Sequence, residues 1–76
     1  MNKTQLLYEA LEAKYQAQIA EAKATLAIYF ESSVGIGEHP QHIEEMDKFI
    51  AQLADATDKL ESLKTLMFSD TTTPPF

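Results

Sequence analysis

Ligand and acid–base chemistry concentrate in one short stretch, where Glu38, His39, His42 and Glu45 fall within eight positions. On a helix His39 and His42 would share a face one turn apart, with a carboxylate beside them. Imidazole nitrogens and carboxylate oxygens are zinc ligands, but a zinc centre takes three or four of them in fixed geometry. The HExxH order that supplies two ligands and a general base is absent. The stretch therefore reads as the polar start of a helix, with Glu38, His39 and His42 as candidate contacts for a partner rather than metal ligands. Nucleophilic chemistry finds no better footing. Ser32, Ser33, Ser62 and Ser69 have no histidine at a useful local spacing. Gly35-Ile36-Gly37 lacks the preceding strand and the third glycine of a dinucleotide loop, and acids follow it. Glu44 and Glu45 project at different azimuths and read as solvated. No catalytic, cofactor-binding or metal residue is assigned, and the expectation is a non-enzymatic protein.

Composition narrows the partners. The 76 residues suit one domain with a small core, and the absence of cysteine excludes disulfides and thiolate metal sites. Twelve acids against six basic residues, all lysine, give a formal net charge of −6. That balance repels nucleic acid phosphates and anionic headgroups, so neither nucleic acid nor membrane is expected as a partner. No apolar run reaches the length of a membrane span and no signal-peptide core opens the chain. A cytoplasmic protein is the default expectation.

The elements that position these residues are two long helices around one turn. Val34-Gly35-Ile36-Gly37-Glu38-His39-Pro40 holds both glycines and the only proline outside the tail, at the midpoint of the chain. Glycine reaches positive φ without a steric penalty, so Gly35 is placed just past the end of helix 1, with Ile36 placed to pack back on Phe30 or on the stem of Glu31. Proline is tolerated in a first helical turn, which puts Pro40 at the start of helix 2 with His39 as its cap. These signals give helix 1 at about 4–33, a turn at 34–39 and helix 2 at about 40–68. Residues 69–76, with three threonines and two prolines, form an extended or disordered tail. Asn2, three residues before Gln5, fits a weakened capping box, with Thr4 a rival cap.

Helix 1 carries two apolar stripes. At about 100° per residue, Tyr8, Leu11, Tyr15, Ile19, Ala22, Leu26, Tyr29 and Phe30 fall on one side. Opposite them Leu6, Ala10, Ala13, Ala17, Ala20, Ala24 and Ala27 repeat at 4-3-4-3-4-3 spacing, a heptad seam made almost wholly of alanine. Alanine is also the best helix former, so part of the seam is propensity. Its regularity makes these seven residues the candidate interface. Helix 2 shows one stripe, Met46, Phe49, Leu53, Ala56, Leu60, Leu63 and Met67, widened by Ile43, Ile50 and Leu66. Glu44 with Lys48 and Asp55 with Lys59 are expected i,i+4 ion pairs on its outer face.

The expected fold is all-α: residues 1–68 as an antiparallel helical hairpin that associates into a four-helix bundle dimer or a higher homo-oligomer. Two helices alone have no interior, and self-association is the simplest remedy.

The run Val34-Gly35-Ile36-Gly37-Glu38-His39-Pro40, followed by an acidic amphipathic helix with Asp58-Lys59-Leu60-Glu61, resembles a group of short tailed-phage proteins of uncharacterised function. The resemblance spans roughly Ala13 to Leu66. It implies a phage accessory protein acting in the host cytoplasm, and it brings no catalytic residues. The functional expectation is an oligomeric helical protein that binds itself and a host or phage protein. The alternative is a small-ligand or metal-ion module built from the loop histidines and an inter-subunit pocket lined by Tyr8, Tyr15 and Tyr29. An acidic decoy for a nucleic-acid-binding protein ranks last, because lysines interrupt the acids.

Overall fold

The computed structural model describes residues 2–31 and 41–68. Two helices account for nearly all of them, α1 from Lys3–Glu31 and α2 from Gln41–Phe68. The expected turn at 34–39 and tail at 69–76 lie outside the described residues, as do Ser32, Ser33 and Pro40.

Asn2 starts α1. Its Oδ1 accepts the Gln5 backbone N–H at 2.7 Å, and its carbonyl oxygen accepts that of Leu6 at 3.1 Å. An N-cap asparagine of this kind stabilises a helix by about 1 kcal/mol. The reciprocal half of the capping box is not made. Gln5 Nε2 instead donates forward to Glu9 Oε2 at 3.0 Å, and Thr4 lies inside the helix. The i,i+4 geometry offers Gln5 a carboxylate on the same face, and a charged acceptor outcompetes a neutral turn at the helix end.

The helices pack side by side, and the pairs that bridge them fix an antiparallel order. Tyr8 meets Phe68, Tyr15 lies under Lys59, Gln18 accepts from Gln52, and Tyr29 meets His42 and Phe49. The whole α2 stripe faces α1: Ala56 is 1% exposed, and Met46, Phe49, Leu53, Leu60, Leu63 and Met67 are half-buried. From α1, Ala22 at 0% and Leu26 at 6% are buried, with Tyr8, Tyr15, Ile19 and Tyr29 half-buried around them.

Two expected members of the α1 stripe do not face α2. Leu11 is exposed, and Phe30 is 62% exposed. Leu11 shares the azimuth of Tyr29 at one margin of the stripe but has a shorter side chain, and Phe30 lies at the other margin, turned by about 100° from Tyr29. The residues expected to widen the α2 stripe, Ile43, Ile50 and Leu66, are all exposed for the same reason. Among the described residues no large side chain is fully buried, because a pair of cylinders touches along one line only. Among the described residues no helix is long and apolar enough to cross a membrane.

The contact is narrow, so its centre must respond sharply to volume. Leu26→Ala is expected to cost about 2–5 kcal/mol through lost burial and a residual cavity. Ala22→Leu is expected to cost about 1–3 kcal/mol by forcing the helices apart. Urea denaturation followed by helicity reads both. Midpoints unchanged in both variants would place the contact elsewhere.

Candidate functional site

Among the described residues, the line between the helices holds three small constructions. The first is a polar clasp. Gln52 Nε2 donates to the Gln18 carbonyl oxygen at 2.9 Å and to Glu21 Oε1 at 2.8 Å. One side-chain amide thereby ties the middle of α2 to two successive turns of α1. Gln18 precedes the buried Ala22 by one turn, and that small side chain lets the amide come close. Nothing in the sequence distinguishes Gln52 from any other polar residue bordering the stripe, and the reading above missed it.

The second lies where Tyr15, Lys59 and Asp55 meet. The expected Asp55–Lys59 ion pair forms at 2.9 Å, and Lys59 Nζ stands 5.9 Å from the Tyr15 ring centroid. Asp55 holds the Lys59 ammonium above its ordinary pKa, by hydrogen bond first and by charge second. Beside it is an open depression of about 220 Å³, lined by Tyr15, Asp58, Lys59, Ser62, Leu63 and Leu66. Enclosed ligand pockets run to about 300–1,000 Å³, so this one is small as well as open. Lys48 makes the other ion pair, and here the expectation changes. It bonds Glu45 at 2.8 Å, three residues back, rather than Glu44. Glu45 is half-buried against the seam whereas Glu44 is exposed, so Glu45 presents a better-held carboxylate. Glu44 still adds to the field that keeps the Lys48 ammonium charged, after the hydrogen bond and charge of Glu45.

The third is at the open end. Tyr8 stacks edge-on against Phe68 with ring centroids 5.5 Å apart, and its hydroxyl donates to Glu12 Oε2 at 3.2 Å. Partial burial raises the Tyr8 phenol above its ordinary pKa, and the charge and hydrogen bond of Glu12 raise it further.

The candidate loop contacts separate under the structure. Glu38 and His39 lie outside the described residues. His42 is half-buried and meets Tyr29 edge-on, with ring centroids 5.3 Å apart. It packs into the end of the hairpin instead of standing on an exposed tip, because its azimuth on α2 is that of Phe49 and Leu60. Among the described residues no group of three or more His, Cys, Asp or Glu side chains could hold a metal ion. Within one chain the three tyrosines do not share a pocket. Tyr8 and Tyr29 are 21 residues apart on one helix; at 1.5 Å per residue that separates them by about 31 Å. Each meets a different part of α2.

The candidate interface has a clear location. Leu6, Ala10, Ala13, Ala17, Ala20, Ala24 and Ala27 are all exposed, on the side of α1 facing away from α2. With apolar residues on both sides, the amphipathicity of α1 nearly cancels, whereas α2 is clearly one-sided.

Comparison with protein-family models, with curated proteins and with solved structures finds no match.

The raised Tyr8 pKa has a definite sign. The fold favours the neutral phenol, so its stabilising contribution is present below the ordinary tyrosine value. It is lost as pH rises through the raised one. The raised Lys48 and Lys59 values act in the same window, by favouring the charged ammonium until it deprotonates. In a Tyr15→Phe, Tyr29→Phe background, phenolate absorbance should report Tyr8 alone, with a midpoint above the ordinary value of about 10. Glu12→Gln should bring it part of the way back, because burial remains. A midpoint at or below the ordinary value would contradict the Glu12 contact.

Proposed function

We propose that the chain is a non-enzymatic helical protein that works by contact: it self-associates through helix faces and binds another protein in the assembled form. The observation that carries this reading is the ratio of covered to uncovered apolar side chains. Among the described residues three hydrophobic ones are buried, two of them alanine, whereas nine large ones are exposed: Leu6, Leu7, Leu11, Ile28, Phe30, Ile43, Ile50, Leu66 and Phe68. Single exposed leucines are ordinary, but these nine, among them Leu6 on the alanine seam and Phe30, Ile43 and Ile50 along one flank of the hairpin, leave apolar faces of the kind that association surfaces present. The alanine seam is one such face. Small side chains at heptad spacing let a further helix approach closely and gain dispersion contacts along its length.

A ligand-binding reading draws less support. The depression beside Tyr15 is small and open, and the tyrosines expected to line one pocket are spread along α1. The phage setting that the Val34–Pro40 resemblance implies would make the bound protein one of the host or of the phage.

Sedimentation equilibrium of the full chain tests the proposal. The expected mass exceeds twice the 8.5 kDa chain mass, with copies paired and pairs joined through the alanine seam. Ala17→Glu with Ala20→Glu should keep the helicity and lower the assembly by one step. A wild-type chain that stays monomeric while folded would contradict self-association, and an unchanged mass in the variant would remove the seam from it.

A further inference from the structure

The second uncovered face runs along one flank of the hairpin. Gln52, bonded to Gln18 and Glu21, marks the opposite flank. That opposite flank is polar through its middle, with Gln18, Glu21, Lys48 and Lys59. At about 100° per residue, Ile43, Met46, Ile50, Leu53, Thr57 and Leu60 run along the other side of α2 at 3-4-3-4-3 spacing. Ile43 is 61% and Ile50 47% exposed, while Met46, Leu53 and Leu60 are half-buried, one side on α1 and the other open. On α1 the same flank carries Glu12, Gln16, Lys23 and Phe30, across the Tyr15–Leu26 line from Gln18 and Glu21.

We infer that this flank is the surface on which a second copy of the chain docks, related by a two-fold axis perpendicular to the helices at the height of Asp55. The inference rests on the self-association proposed above and names the face that makes the first pair. The charge pattern selects this arrangement. Glu12 and Lys23 are equidistant from a point between Ala17 and Gln18, so a two-fold axis there sets Glu12 of each copy against Lys23 of the other. On α2, Ile50 and Leu60 are equidistant from Asp55, so the same operation lays Ile50 on Leu60 of the second copy and Leu53 beside its Thr57. The two midpoints lie at one height, because the bridges Gln18–Gln52 and Tyr15–Lys59 bracket both. A single axis thus satisfies the acid–base pairs on α1 and the apolar seam on α2, as an isologous contact requires.

Sedimentation equilibrium of the full chain, with helicity checked in parallel, tests the face and its axis. Lys23→Glu alone sets acid against acid at both ends of the pair, and Glu12→Lys alone sets lysine against lysine. Each should weaken pairing by about tenfold, as expected for two surface ion pairs turned repulsive. An equimolar mixture of the two variants restores opposite charges at both ends and should recover wild-type association. Ile50→Glu should abolish pairing in a chain that stays helical, whereas Ala17→Glu with Ala20→Glu should leave the pair intact. Single charge variants that associate like wild type, or a mixture that recovers nothing, would overturn the axis. Pairing that survives Ile50→Glu but fails with the alanine variants would overturn the face while leaving self-association standing. A wild-type monomer would overturn both.

Discussion

Very little side-chain volume stands between the two helices, and the rest of the molecule follows from that. Among the described residues Ala22 and Ala56 supply the fully covered surface and Leu26 the only well-buried large side chain. Small residues let the backbones approach, which tightens the contact and brings the Gln52 amide within reach of the Gln18 carbonyl. The same closeness leaves no room for an interior. Every other apolar residue on the seam keeps one side in water, and burial stabilises in proportion to the area removed from it. Ordering the backbone costs about 1–2 kcal/mol per residue. A single narrow contact is a weak return on fixing two helices of 29 and 28 residues.

Polar groups set register rather than supply the missing stability. The ion pairs of Lys48 and Lys59 are exposed and within one helix, so each contributes only a few tenths of a kcal/mol. Gln52 differs because it crosses between the helices and meets a backbone carbonyl in a partly buried place. A slide of one residue would break both of its bonds and displace Lys59 from the Tyr15 ring. The edge-on pairs Tyr8–Phe68 and Tyr29–His42 hold the two ends to the same alignment. The apolar content left outside this seam is what a partner helix would cover.

Periodicity made the architecture legible. Glycine and proline are confined to the middle and the tail, so both helices, and the α2 face that meets α1, could be read without coordinates. Asn2 as a cap and the Asp55–Lys59 pair were legible because they depend on neighbours along one helix. Contacts across the seam were not. Gln52 has no signature that separates it from Gln16 or Gln18, and Lys48 had two glutamates within reach, the choice falling to local burial. Phe30 belongs to the stripe by azimuth averaged over the helix, yet sits at its margin, and Leu11, at the azimuth of Tyr29, lacks the length of that ring. His42 looked like loop chemistry beside His39, and packing on Tyr29 makes it part of the hairpin end instead.

If the hairpin depends on its copies, folding and assembly are one equilibrium, and the melting temperature must depend on protein concentration. Thermal unfolding of the full chain followed by helicity, over about a hundredfold range of concentration, measures this directly. A melting temperature that climbs with concentration is the expected result. A cooperative transition at the same temperature throughout would show that two helices and one line of contact suffice, and would contradict the central claim.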